Sequence, residues 1–176
     1  MEKFNFTIYS TKEITDFVTE IALKLLSKQG KVHAPNKARI RACKEIILCW
    51  KNKTPVAIGA IKKKTVDDFS STKANLVNLG QEFDWELGYF YTDEELRGLG
   101  VAAFITKLLL KRASNINLMA STELFPKNGM IKILLSNGFI QVGNPWKSTI
   151  HDGILGLFIK VKEGEERKQK LSILPR

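Results

Sequence analysis

The segment "WELGYFYTDEELRGLGVAAFITKLLL", residues 85–110, constrains the fold most, because it joins a strand to a helix through glycines. Its first part is an apolar run typical of a buried strand, and its last part has apolar residues at helical spacing. Two glycines at the start of a helix weaken that helix, since glycine loses more conformational entropy on folding than other residues. We therefore expect Gly98 and Gly100 to serve a purpose that offsets this cost.

The helix that follows the glycines has one apolar face, so we expect it to pack firmly on a sheet from about Gly98 to Ala113. That face comprises Val101, Phe104, Ile105, Leu108 and Leu109. The first turn of a helix leaves backbone N–H groups without partners and carries the positive end of the helix dipole. Glycines there let an anion reach the amides, and pyrophosphate is the natural guest. A tight turn that uses glycine only for its dihedral angles explains the two residues equally well.

Two other phosphate-binding motifs fit the glycines less well. A Walker loop needs GxxxxGK[ST], and "GLGVAAFI" lacks both the lysine and the hydroxyl. A dinucleotide fingerprint needs GxGxxG, but Ala103 stands at its third glycine. The preceding strand also lies in a hairpin-rich half of the chain, which is wrong for that βαβ unit.

The remaining sequence predicts the element order β-α-α-β-β-β-α-β-α-β-β, which indicates a mixed sheet. "FNFTIYS" is a first strand, and the helix after it is capped by Thr11 and stopped by Gly30. Residues 64–82 are polar and irregular, so we expect a long connection of the kind that often carries function. The length of 176 residues fits one domain over residues 1–162, followed by a charged tail over residues 163–176.

Composition narrows the functional classes. The net charge of +10 attracts polyanions, but the basic residues are scattered and no helix-turn-helix, zinc or RNP motif accompanies them. Nucleic acid is therefore not the favoured partner. Cys43 and Cys49 form no CxxC pair, and His33 and His151 lie far apart, so no metal site is predicted. Reduced thiols and the lack of a membrane-spanning or signal segment predict a cytoplasmic protein.

Two segments resemble motifs of the GNAT family of N-acetyltransferases. "YTDEELRGLGVAAFITKLL" resembles the family's acetyl-CoA motif R/Q-x-x-G-x-G/A, with Arg97, Gly100 and Ala102 at its fixed places. "NGMIKILLSNGF" resembles the family's N-x-x-A-x-x-L-Y-x-x-x-G-F helix, although it is about one residue shorter. The resemblance implies an α/β (α+β) fold, with a mixed, mostly antiparallel central sheet of about seven strands flanked by about four helices.

The resemblance also implies a binding site for acetyl-CoA as the acyl donor, with no metal. The backbone of the strand end would hold the pantetheine arm, the amides of the glycine turn would bind the pyrophosphate, and Arg97 would add charge. Asn128 would contact the CoA arm. The residues at these places are Phe90, Tyr91, Thr92, Arg97, Gly98, Leu99, Gly100, Val101, Ala102, Ala103 and Asn128.

Acyl transfer to an amine needs a base, because an amine at neutral pH is mostly ammonium. Asp84 and Glu86 lie two apart on the fourth strand and so share a face. The family often places its base on this strand, which makes Glu86 the first candidate and Asp84 the second. An ordinary exposed or salt-bridged carboxylate is the alternative for each.

The usual general acid is missing. Many family members supply a tyrosine from the helix before "GF", whereas Leu134 and Leu135 occupy the candidate places here. A thiol has a pKa of about 8.5, so the thiolate can leave without a strong acid. Ser136, Tyr91 or water could substitute, and His151 could sit beside the acceptor or simply lie in a turn.

The function predicted from the sequence is an acetyl-CoA-dependent N-acetyltransferase that transfers an acyl group to a primary amine by direct attack in a ternary complex. The amine would belong to a small molecule or a protein, and the protein would be a monomer or a homodimer. A non-catalytic CoA-binding module for regulation or interaction is the alternative.

Overall fold

The computed structural model describes residues 4–30, 36–125 and 127–162, which contain seven strands and four helices. The predicted tail over residues 163–176 and His33 lie outside these residues. The strands are β1 (Phe4–Ser10), β2 (Glu45–Lys51), β3 (Thr54–Lys63), β4 (Trp85–Thr92), β5 (Leu118–Glu123), β6 (Ile140–Lys147) and β7 (Ile154–Lys160). The helices are α1 (Asp16–Gln29), α2 (Lys37–Arg41), α3 (Val101–Arg112) and α4 (Gly129–Ser136).

The strands form one sheet in the order β1-β2-β3-β4-β5-β7-β6. The β1–β2, β2–β3, β5–β7 and β6–β7 pairs are antiparallel, and β5 runs parallel to the start of β4 at Trp85↔Leu118 and Glu86↔Met119. The predicted mixed, mostly antiparallel sheet with four helices is therefore confirmed.

The chain divides into two compact units. Unit 1 comprises Met1–Lys63 and Leu87–Arg112, and unit 2 comprises Lys64–Glu86 and Ala113–Arg176. The prediction of a single domain over residues 1–162 stays a prediction.

Unit 1 has its core between the sheet and helices α1 and α2. Helix α1 buries Val18, Ala22, Leu25 and Leu26, which recur at helical spacing on one face. Gly30 ends this helix in the left-handed conformation (φ +68°), as predicted. The β2–β3 hairpin turns through two residues with positive φ, Asn52 and Lys53, the pattern of a tight hairpin turn.

The predicted start of α1 at Thr11 is wrong. Thr11 opens a separate 3-10 turn over Thr11–Glu13, because Glu13 and Ser10 form a capping box that closes it. The N-cap of α1 is Thr15, whose hydroxyl accepts a bond from the Val18 N–H. Thr11 instead donates its hydroxyl to the Cys43 carbonyl at 2.9 Å.

Unit 2 uses the long connection over residues 64–82 as part of its core. Phe69 and Ala74 are buried beside strand residues of β5, β6 and β7. A side chain at Gly143 would collide with the Ala74 carbonyl at 2.3 Å, and the neighbouring Asn144 N–H donates to that same oxygen. This connection is packed against the sheet by apolar burial and main-chain bonds.

Candidate functional site

The glycine turn of unit 1 leads from the end of β4 into α3. A short 3-10 turn over Glu94–Leu96 follows the strand, and Gly98 and Gly100 then adopt φ of +82° and +81°. Most residues with side chains rarely adopt these angles, so both positions need glycine. Helix α3 starts at Val101, three residues after the predicted start at about Gly98.

Several amides of this turn and of the first turn of α3 lack hydrogen-bond partners among the residues that the structure describes. The Leu99 N–H donates to the Leu96 carbonyl, and the Phe104 N–H donates to the Gly100 carbonyl. In the described parts of the chain, the amides of Gly98, Gly100 and residues 101–103 have no hydrogen-bond acceptor. Unpaired N–H groups at a helix start, together with the helix dipole, favour an anionic ligand.

The space over the two glycines is open. A Cβ atom added to Gly98 or Gly100 would meet no heavy atom within 4 Å. The Leu99 side chain between them is 62% exposed, whereas Val101 is buried and anchors the helix. A phosphate group can therefore reach the amides without displacing a side chain.

Arg97 lies at the edge of this turn and is partly engaged already. Its Nη1 lies 3.2 Å from Glu94 Oε1, and its Nε donates to the Thr92 carbonyl at 3.3 Å. Because the Arg97 side chain is 58% exposed, its pairing with Glu94 is worth little in water. The guanidinium can exchange Glu94 for a more highly charged anion.

The predicted pantetheine-binding stretch of β4 is irregular. Tyr89 has φ +55°, which places a local distortion in the strand just before Phe90. The Phe90 ring is half-buried and packs where Gly59 leaves room, since a Cβ at Gly59 would lie 2.8 Å from it. The Phe90 carbonyl accepts a hydrogen bond of 2.7 Å from the side-chain amide of Gln29 in α1.

Tyr91 faces the core of unit 1, with its hydroxyl on a charged pair. It donates to Asp93 Oδ1 at 2.8 Å, and Lys28 Nζ lies 3.2 Å from the same oxygen. Burial and, secondly, the bond to Asp93 raise the pKa of Tyr91. The proton of Tyr91 is thus held by Asp93, which weighs against the suggestion that it protonates a leaving thiolate.

The buried apolar face of α3 is narrower than predicted, because it leaves out Phe104. Val101, Ile105 and Leu109 are buried, but Phe104 is 46% exposed and its ring lies 4.6 Å from that of Phe6. Thr106 is buried in its place and donates its hydroxyl to the Ala102 carbonyl.

The two predicted catalytic carboxylates, both in unit 2, have different surroundings. Glu86 is 5% exposed, and its Oε2 accepts bonds of 2.8 Å from both the N–H and the hydroxyl of Thr65. Asp84 is exposed and precedes the first residue of β4, so the predicted shared strand face does not extend to it. Only Glu86 is held in a fixed, buried position.

Asn128 is the N-cap of α4. Its Oδ1 accepts from the Met130 N–H at 2.9 Å, while Nδ2 donates to Thr122 Oγ at 3.0 Å and to the Glu123 carbonyl. These bonds fix the end of β5 to the start of α4. The side chain thus serves the fold directly, which was not expected from the sequence.

An open cleft of 680 Å³ lies beside α4 in unit 2. It is lined mainly by apolar side chains, and two of them, Phe125 and Leu135, are 45% and 53% exposed. The lining residues are Leu124, Phe125, Asn128, Ile131, Lys132, Leu135 and Ser136.

The structure separates the two leucines that replace the expected tyrosine. Leu134 is fully buried and belongs to the core, whereas Leu135 lines the cleft. The Ser136 hydroxyl donates to the Ile133 carbonyl at 3.0 Å. Of the two leucines, Leu135 is therefore the one whose side chain faces the cleft.

A further pair of polar side chains was not predicted from the sequence. His151 Nδ1 lies 3.1 Å from Glu123 Oε1, joining the turn between β6 and β7 to the end of β5. Glu123 and His151 are 28 positions apart in the sequence, so their spacing does not predict the contact. The same is true of Thr65 and Glu86. Only the β5–β7 register, in which Glu123 pairs with Leu155, brings the two together.

Across the described ranges, no group of three or more His, Cys, Asp and Glu side chains is arranged to hold a metal ion. No helix in those ranges is long and apolar enough to cross a membrane.

Solved structures share this architecture. An acetyltransferase of the GNAT family from Streptococcus pneumoniae superposes with a TM-score of 0.61 and 9% identity, covering 91% of this chain and 99% of that one. The chain has the GNAT fold.

Two other structures agree with this fold. Escherichia coli ElaA gives a TM-score of 0.66 at 16% identity, covering 89% of this chain and 99% of that one. Salmonella typhimurium yncA, a putative acetyltransferase solved with its cofactor acetyl-CoA, gives 0.59 at 12% identity, covering 93% and 96%. No protein-family model and no curated protein sequence matches the chain.

Proposed function

We propose that the chain is an acetyl-CoA-dependent N-acetyltransferase that acts on a primary amine of a small molecule or a protein by direct attack in a ternary complex. The observation that carries this proposal is the set of unpaired amides at Gly98, Gly100 and residues 101–103, under open space. A structure with the same fold, Salmonella typhimurium yncA, was solved with acetyl-CoA.

The residues present in the glycine turn fit a pyrophosphate. The backbone amides supply aligned donors, and no side chain needs to move from Gly98 or Gly100. Arg97 supplies a cation at the edge of the turn after exchanging Glu94. Such charge-assisted bonds are roughly twice as strong as neutral ones.

Other residues take roles that the sequence resemblance assigns. The backbone of Phe90, Tyr91 and Thr92 holds the pantetheine arm, and Gln29 keeps the Phe90 carbonyl in place. Asn128 contacts the CoA arm from the N-terminus of α4, where its amide oxygen keeps one lone pair beyond the bond to Met130.

The reaction requires a neutral amine and a stable leaving group. Glu86 and Asp84 remain the carboxylates predicted to remove the ammonium proton. Acetyl-CoA supplies the activated thioester. Leu135 offers no proton to the departing sulfur. Because a thiol has a pKa of about 8.5, the thiolate can leave without a proton donor.

A non-catalytic CoA-binding module is the second candidate. The observation that favours it is the pair of leucines at the tyrosine place, one in the core and one in the cleft. Both candidates predict the same glycine turn, so binding alone does not separate them.

The test is calorimetric titration with acetyl-CoA, followed by a coupled assay for released CoA with a panel of primary amines. Saturable uptake that Gly100→Asp abolishes, with turnover of at least one amine, supports the transferase. Uptake without turnover on every amine supports the binding module. Absence of uptake contradicts both candidates, and steeply salt-dependent binding to duplex DNA would then favour a nucleic-acid role.

A further inference from the structure

The Glu123–His151 pair of unit 2 is built for acid–base chemistry that the glycine turn does not explain. The Nδ1···Oε1 distance is 3.1 Å, and the two side chains are 20% and 18% exposed. Both groups are thus sheltered while part of each still reaches solvent. A base oriented by a carboxylate is the arrangement that activates nucleophiles in many enzymes.

The turn between β6 and β7 holds the imidazole in this place. Ser148 Oγ accepts bonds from the N–H groups of Ile150 and His151, and the Ser148 N–H donates to the Gly153 carbonyl at 2.9 Å. A Cβ added to Gly153 would lie 2.4 Å from Glu123 Oε1 and 2.7 Å from the His151 ring. Glycine at position 153 is therefore needed for the two side chains to meet.

The two neighbours of Nδ1 demand opposite protonation of that atom. Glu123 needs an N–H, while the Gly153 N–H, 3.0 Å away, needs a lone pair. A hydrogen bond to a charged carboxylate is about twice as strong as a neutral one, so Glu123 selects the Nδ1–H tautomer. In this tautomer the lone pair of the neutral ring is on Nε2, where a proton can be accepted.

Other charged side chains lie close to His151 along the chain. The β6–β7 turn carries Lys147 and Asp152, which pair with each other at 3.6 Å with Asp152 fully exposed. Strand β5 contributes Glu123, the charged group that contacts the ring.

The pair adjoins the residues assigned to the cofactor within the same unit. Asn128 donates to the Glu123 carbonyl, and the next two residues, Leu124 and Phe125, line the cleft beside α4. Glu123, the partner of the imidazole, is thus directly followed in the chain by two residues of the cleft wall.

We propose that His151, held by Glu123, is the group that accepts the proton of the acceptor's ammonium ion. This inference rests on the proposed function. Histidine is the side chain that most often transfers protons in enzymes, and the Glu123 carboxylate orients this one. Glu86, whose Oε2 takes two bonds from Thr65, is the competing group.

The proton balance of the step is complete. Nε2 takes one proton from the ammonium, and the nitrogen lone pair forms a C–N bond to the thioester carbonyl carbon while the C–S bond breaks. The nitrogen's second surplus proton ends on the sulfur, giving the thiol. The imidazolium returns its proton to water.

The first test is the tautomer of His151, read from the ¹⁵N chemical shifts of the imidazole in the full-length protein. The two histidine signals are assigned with His33→Gln. We expect the Nδ1–H tautomer in wild type, and its loss in Glu123→Gln and in Gly153→Ala. The Nε2–H tautomer in the wild-type neutral ring would overturn the proposal before any substrate is added.

The second test is the pH dependence of kcat/KM with saturating acetyl-CoA and either spermidine or Nα-acetyl-lysine amide. We expect His151→Gln to lower kcat about 100-fold and to flatten the rise of kcat/KM with pH. Acetyl-CoA affinity should stay within about twofold of wild type by calorimetry, and Asp152→Asn should leave both unchanged. Loss of that rise in Glu86→Gln instead would assign the proton to Glu86 and overturn the proposal.

Failure of this inference differs from failure of the proposed function. Wild-type rates in His151→Gln, with turnover intact, remove His151 alone. If acetyl-CoA binds and no amine of the panel is turned over, the catalytic proposal and this inference fall together.

Discussion

Gln29 in the last turn of α1 donates its side-chain amide to the Phe90 carbonyl in β4 at 2.7 Å. This bond fixes the strand next to its distortion at Tyr89. Gln29 Oε1 is buried without a partner among the described residues, a cost that the bond to Phe90 has to offset. The end of α1 thus holds the stretch proposed to bind the pantetheine arm.

Gln29→Met should lower the free energy of unfolding by about 1–2 kcal/mol, because the part-buried Phe90 carbonyl loses its donor, a cost that removal of the unpaired Gln29 Oε1 offsets only in part. It should also weaken acetyl-CoA binding, since the strand end is less well fixed. Urea denaturation and calorimetry measure the two effects. Lys28→Met is the control, because Lys28 pairs with Asp93 nearer the surface and should cost less than about 1 kcal/mol. Equal effects of the two variants would contradict the role given to Gln29.

Gly100 separates backbone strain from charge in the glycine turn. Gly100→Ala and Gly100→Asp both place a Cβ at φ +81°, which costs about 1 kcal/mol of stability. Only the aspartate adds an anion beside the free amides, so it should abolish acetyl-CoA binding while the alanine weakens it several-fold. Calorimetry on both variants, with thermal unfolding as the check on folding, gives the comparison. Equal affinities would place the pyrophosphate elsewhere.

The adjacent leucines of α4 should differ sharply in stability. Leu134 is fully buried, so Leu134→Ala leaves a cavity and should cost about 2–5 kcal/mol. Leu135 is 53% exposed, so Leu135→Ala should cost less than about 1 kcal/mol. Chemical denaturation of the two variants under the same conditions tests this. The reverse order would show that the helix is rotated relative to this arrangement.

Sequence periodicity predicted the sheet because each element has a clear local pattern. The alternation of residues 4–10 marks β1, and Gly30 marks the end of a helix through its own backbone preference. The glycines at 98 and 100 were readable for the same reason, since their dihedral angles need glycine. These features depend on neighbours within a few residues.

The side-chain partners of the site were not readable from the sequence. Thr65 reaches Glu86, and Glu123 reaches His151, only after the strands have taken their register. Thr11 and Thr15 are equally good caps in isolation, and the capping box of Ser10 with Glu13 decided between them. Likewise Phe104 fits a helical apolar face, but it is 46% exposed and its ring lies beside that of Phe6 in β1.

Leu135→Tyr should raise the rate of acyl transfer. It would place a phenol in the cleft, at one of the two positions where the resemblance to the GNAT helix motif implies a tyrosine. A positioned acid contributes up to about 10²–10⁴-fold, and because the thiolate is already a fair leaving group we expect about tenfold in kcat. Steady-state kinetics with the best amine of the panel measure it. Leu135→Phe is the control, since it fills the same volume without a hydroxyl and should give no gain.

The buried thiols should make stability fall at alkaline pH. Burial raises the pKa of the Cys43 thiol to about 12 and that of Cys49 to about 11, so the folded state holds these protons more tightly than the unfolded state. The stabilisation that the protonated thiols provide is complete below their unfolded-state pKa of about 8.5. It is lost as the pH rises through their folded-state pKa values. The free energy of unfolding should therefore decline above about pH 9, with a shallower decline in Cys43→Ala. Urea denaturation at pH 7.5 and pH 10 measures the slope.

The same burial should protect Cys43 from modification. With about one thiolate in 10⁴ at pH 8, Cys43 should resist Ellman's reagent until urea unfolds the chain. Fast labelling of the folded protein would contradict its burial.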